Sequence, residues 1–283
     1  MQSSNPVFAR SDGFNGRGGA VATDPAQWKV DLDGQGSSPT HTELGQGRMS
    51  MDTVVEKTAI TLGLVIAAAA VTWFFIGDLL DPDQSKANAA YGTAFTLAIG
   101  GALIGLVLSL VNSFKKIVSP PLVMAYAVVE GVFVGAFSKV IASYVGDPTI
   151  VFQAVLATMV AFGGTLAAYK FFNIQVTDKF RKVVTIAMFS FVGVMLVNFV
   201  LSLTGVLDSG GLRGFNALGL LVSAVAVVLA VFMLILDFDF VEKGIAAGLP
   251  ERESWRAAFA LTVTLVWLYI ELLRILAILR GGD

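Results

Sequence analysis

GFNALGLLVSAVAVVLAVFMLILDFDFV, residues 214–241, decides the fold. Its first 23 residues, Gly214–Leu236, carry no charge. At 1.5 Å per residue they make a helix of ~34 Å, enough to cross the ~30 Å hydrocarbon core of a bilayer. The stretch then ends on two aspartates interleaved with phenylalanines, in the order Asp237, Phe238, Asp239 and Phe240.

Six further runs of the same kind flank it. Ala59–Gly77, Ala87–Phe114, Pro148–Tyr169 and Val183–Leu207 carry no charge, Leu122–Tyr144 carries only Glu130 and Lys139, and Ala257–Leu279 carries only Glu271 and Arg274. None alternates with the period of two that a membrane barrel requires. The expected fold is an all-α integral membrane protein of seven transmembrane helices, residues 51–283, behind a polar, glycine-rich tail, residues 1–50, that reads as disordered. The composition agrees: 55% hydrophobic, 14% charged, mean hydropathy +0.76. A soluble domain carries roughly a quarter charged residues.

Loop charge orients the spans. Fourteen basic residues fall on the side of the N-terminal tail, against three (Lys86, Arg213 and Arg280) on the other. The positive-inside rule therefore expects the N-terminus in the cytoplasm and, after seven crossings of the cell membrane, the C-terminus outside. We call the tail side A and the opposite side B. No cleavable signal peptide is expected, since the first apolar run starts late.

Several function classes lack support. There is no cysteine and one histidine, His41, in the tail. Thiolate sites, H-E-x-x-H zinc chemistry and Ser–His catalysis are thereby missing, no cofactor is expected, and an enzyme is not the expectation. The last span, LTVTLVWLYIELL at residues 261–273, has no mid-helix lysine for a retinal Schiff base. Basic residues spread over loops give no nucleic-acid patch.

Intramembrane carboxylates remain, and each costs kilocalories without a partner, a proton or water. Asp237 and Asp239 lie near the side A rim. Residues two apart diverge by about 200° on a helix, so both cannot face lipid-free water unless one meets a neighbouring helix. Asp237 is the candidate for the interior position; capping of the membrane exit by hydrated charge is the alternative. Glu271 and Arg274 share a face at i, i+3 and read as an ion pair. Thr264, seven residues before Glu271, lies on the same stripe near the depth of Asp237. Glu130 and Lys139, nine residues apart, cannot pair within their helix; Lys139 snorkels to the outer surface. A path of carboxylates from Asp237 past Glu130 to Glu271 suits protons or calcium rather than soft metals. Gly101 with Gly105, and Gly131 with Gly135, have the G-x-x-x-G spacing of close helix contacts.

PPLVMAYAVVEGVFVGAFSKVI (120–141), VFQAVLATMVAFGGTLAAY (151–169), the LDFD of the sixth span and the closing WLYIELLRIL with Arg274 together resemble the transmembrane Bax inhibitor motif family, especially its bacterial branch. The resemblance covers roughly residues 55–280. It implies two three-helix layers around a central last helix, and a calcium leak gated by pH. It further implies a proton-sharing aspartate pair on the sixth and seventh helices, latched by a basic residue at the inner end of the second. Matched by position, Asp237 is the sixth-helix aspartate and the expected calcium contact, and Lys115 or Lys116 lies in the latch region. The seventh-helix aspartate falls on Thr264, a departure that leaves Glu271, Asp239 or Glu130 to substitute or the pH response weakened. Two readings stay open: a calcium-conducting channel or proton-coupled transporter, and a non-conducting regulator whose tail docks a membrane protein partner such as a protease or stress complex.

Overall fold

The computed structural model describes residues 47–172, 174–207 and 210–281. Within them are seven helices long and apolar enough to cross a membrane: α1 (Met51–Phe75), α2 (Gln84–Phe114), α3 (Pro120–Val145), α4 (Thr149–Phe171), α5 (Asp178–Leu203), α6 (Ala217–Ala246) and α7 (Glu253–Arg280). The chain is an all-α membrane protein. The expected tail lies outside the described residues except for 47–50. There Met49 donates its N–H to the Leu249 carbonyl at 2.7 Å, and the Glu251 N–H bonds the Gly47 carbonyl at 2.7 Å. This pins the entry of α1 to the α6–α7 connection.

Local sequence sets the helix starts. Ser50 and Thr53 form a reciprocal capping box on α1, Asp83 caps α2 and Asn216 caps α6, each satisfying N–H groups that the first turn leaves unpaired. Pro120 and Pro121 open α3, where a missing N–H costs nothing. The helices outrun the apolar runs. Helix α6 does not close at Asp237 and Asp239 but continues to Ala246, because nothing in DFDFVEKGIA breaks a helix before Gly248 and Pro250. Both aspartates are thus held on a rigid helix rather than at a frayed end.

Helix α7 is the most buried span and packs against α1, α3, α4 and α6. Helix α3 sits between α1 and α2; α6 contacts both α4 and α5. Leu261, Leu265 and Leu268 of α7 join Ala230 and Leu234 of α6, while Leu273 and Ala277 join Ala127, Val134 and Ile141 of α3. Three of the four spaced glycines place backbones in contact. A Cβ at Gly131 or Gly135 would strike the Val65 or Ala69 carbonyl of α1, and one at Gly101 would meet the Phe133 backbone of α3. The outer surface is apolar too: Phe74, Phe114 and Phe189 are exposed. A helix apolar on both its packed and its free faces belongs in lipid.

Candidate functional site

The side A half of the interface between α6 and α7 holds the candidate site. Asp237 is buried on α6, and Thr264 of α7 donates its hydroxyl to Asp237 Oδ2 at 2.7 Å. The same Thr264 oxygen lies 3.1 Å from the Ala260 carbonyl, an alternative acceptor one turn back. This gives the pair two complete arrangements. With Asp237 ionised, Thr264 donates to it. With Asp237 protonated, the acid donates to the Thr264 oxygen and the threonine proton turns to Ala260. Either state is hydrogen-bonded without any backbone movement.

Asp239 is equally buried but differently served. Arg181 of α5 donates to its Oδ2 at 2.5 Å, and Lys243, one turn along α6, approaches Oδ1 at 2.8 Å. Both cations are half exposed, so this cluster opens to side A. The divergence of the two aspartates is resolved by neighbours: Asp237 meets α7 and Asp239 meets α5.

The remaining residues singled out from the sequence are dispersed. Glu130 on α3 turns toward α2, where a Cβ on Gly105 would approach its carboxylate to 2.9 Å. The Lys115 and Lys116 side chains are exposed; their carbonyls instead accept from Arg256 of α7, the shortest contact being 2.9 Å. The end of α2 is therefore tied to α7 by main-chain acceptors, and no ion pair joins either lysine to Asp237.

At the side B end, Glu271 keeps the i, i+3 arginine at the outer limit of ion pairing, Arg274 Nε 4.0 Å from Oε2, and has a closer partner in Arg213 of the α5–α6 connection, Nη1 to Oε1 at 2.8 Å. Arg274 donates instead to the Arg213 carbonyl at 2.6 Å and stacks 5.3 Å from the Phe215 ring. Arg213, Arg181 and Arg256 were all visible in the sequence as loop charges, but nothing in their spacing named their partners.

Among the described residues no group of three or more His, Asp or Glu side chains is placed to hold a metal ion. Calcium takes six to eight oxygens. Asp237 with Thr264 supplies at most three, so an ion there would keep most of its water.

A family model described as Bax inhibitor 1 like matches residues 5–281. The chain belongs to that family. No curated protein matches it.

Proposed function

We propose that this Bax inhibitor 1 like protein is a pH-sensitive calcium (cation) leak channel or proton-coupled calcium transporter of the cell membrane. It is not an enzyme on this reading, and its N-terminus is cytoplasmic and its C-terminus extracellular. One observation carries the reading. Among the described residues, only Asp237 of the buried carboxylates Asp237, Asp239 and Glu271 has no cation within ion-pairing distance. A buried acid served by a hydroxyl alone can exchange a proton for a cation, and intramembrane acids of that kind mark ion pathways. Arg213 on Glu271 closes the side B end, so conduction requires that pair to part or be bypassed. Calcium is cargo here, passing partly hydrated because the donors are few.

The test is calcium entry into liposomes that contain a calcium dye and the full chain, at pH 5 to 8. Influx above that of empty vesicles is expected, with Asp237→Asn altering its rate or pH profile and Asp239→Asn altering it less. Influx equal to empty vesicles at every pH ends the reading. A second reading, a non-conducting membrane regulator of a protease or stress complex, draws on Thr264 standing where the second acid is expected. Deletion of residues 1–46 separates them: a leak survives it, a tail-docked regulator loses its partner.

A further inference from the structure

At the side B end of α1 the helix closes on Trp73, Phe74 and Phe75, and its last turns lean on the final third of α3. A cleft of about 470 Å3 opens there to the surface, with Trp73, Phe74, Asp78, Leu80, Lys139 and Ser143 among its walls. Lys139 Nζ donates to the Trp73 carbonyl at 2.6 Å and stands 5.4 Å from the centre of the Trp73 ring. It thus caps α1, whose last carbonyls favour a cation. One carbonyl uses one of three N–H groups. Among the described residues no carboxylate forms an ion pair with Lys139, so the ammonium still presents charge to the cleft.

Asp78 stands on the same cleft, with its Oδ1 taken by the Leu80 N–H at 2.9 Å. A cation and an anion therefore line one opening without touching each other. Their depth is where α1 and α3 end and α4 begins, the level at which lipid headgroups lie. Phe74 and Leu80 flank the opening and are 81% and 62% exposed. Trp73 at this depth suits the interfacial zone.

We infer that this cleft binds the headgroup of a zwitterionic phospholipid with a primary ammonium, a phosphoethanolamine head of the side B leaflet. The phosphate takes the free N–H groups of Lys139, the ammonium donates to Asp78, and the acyl chains run along Phe74 and Leu80. The charges choose among headgroups. A phosphoglycerol head answers Lys139 but offers Asp78 only neutral hydroxyls, without the charge of an ammonium. A choline head has no N–H to donate to a carboxylate. The site lies at the opposite end of the molecule from Asp237, and its occupancy does not depend on any ion flux.

The full chain, purified in detergent, is mixed with equal amounts of dioleoyl phosphatidylethanolamine, phosphatidylcholine and phosphatidylglycerol, and the retained lipids are read by native mass spectrometry. Phosphatidylethanolamine retained severalfold over both others is the expected result. Asp78→Asn is expected to abolish the preference over phosphatidylcholine, and Lys139→Gln to weaken retention of both phosphatidylethanolamine and phosphatidylglycerol. Since Lys139 also caps α1, the exposed Asp78 variant carries the decision if Lys139→Gln does not fold. Equal retention of the three lipids, or a preference that survives Asp78→Asn, overturns the assignment.

Discussion

The two ends of α7 answer a buried acid in opposite ways. Toward side A, Asp237 receives one hydroxyl, from Thr264. Toward side B, Glu271 receives a guanidinium from Arg213, with Arg274 beside it bonding the Arg213 carbonyl. A hydroxyl both donates and accepts, so the A end is complete whether its acid is charged or neutral. A guanidinium only donates, so the B end requires Glu271 as acceptor. The first arrangement can change state; the second fastens a loop onto the central helix. Neighbouring acids follow the same division, since Asp239, with two cations, resembles the B end although it lies two residues from Asp237.

The largest expected effect breaks this contrast at the B end. Arg213→Met strands Glu271, which is 1% exposed, without its close partner. Breaking one side of a buried pair costs ~3–5 kcal/mol. Adding Glu271→Leu is expected to recover most of that, because an apolar replacement of the whole pair is often neutral. Unfolding in detergent micelles, followed by circular dichroism, measures both. A single variant as stable as the parent would make the B end no fastening at all.

At the A end the effect is smaller and functional as well. Thr264→Val leaves Asp237 with no hydrogen-bond partner, at a cost of ~1–3 kcal/mol, while Thr264→Ser is expected to be nearly neutral. Thr264→Asp sharpens the comparison instead. Two acids within hydrogen-bonding distance cannot both ionise cheaply and come to share a proton. The liposome leak is then expected to depend more steeply on pH between 5 and 8 than in the parent. An unchanged profile would mean that this position does not govern the flux.

What the sequence disclosed and what it withheld divide along the same line. The seven spans were legible because each apolar run alone is near or above the ~20 residues that cross the hydrocarbon core of a bilayer, and the spaced glycines on α2 and α3 were legible because close approach needs a fixed i, i+4 interval. The end of α6 was not. Counting apolar residues measures the membrane, while the helix runs on through Glu242 and Lys243 until glycine and proline stop it. The proximity of Thr264 to the depth of Asp237 followed from helical rise. The closer partner of Glu271 did not, since Arg274 offered a local answer at i, i+3. Arg213 arrives on a connection whose Gly210 and Gly211 adopt left-handed backbone, φ 93° and 49°. No periodicity encodes such a turn. Arg181 reaching Asp239 from α5 is the same kind of non-local fact.

A weaker test contrasts Asp239 with Asp237. Asp239→Asn keeps the shape and loses the charge, and its partners Arg181 and Lys243 are 47% and 57% exposed. Water takes up cations freed in that way, so the loss is expected to stay within ~1 kcal/mol. A cost equal to that of Arg213→Met would place Asp239 with the buried fastenings.

The smallest effect belongs to the exposed ion pair at the B end, Arg280 with Asp147. Asp147 lies in the short connection before α4, outside the helices. Hydrogen bonds from the Thr149 hydroxyl and N–H, and then the Arg280 guanidinium, hold its carboxyl below the usual carboxylate range. A group depressed in the fold stabilises at pH above its unfolded value, about 3.9 for aspartate. That contribution falls away as pH drops through the folded value. Asp147→Asn is therefore expected to lower the melting temperature slightly at pH 7. The gap between variant and parent should narrow only below about pH 4, and close once Asp147 is protonated in the fold too. Melting curves of the two proteins across that range check the sign. A gap that widened toward acid would show that the asparagine, rather than the lost charge, is responsible.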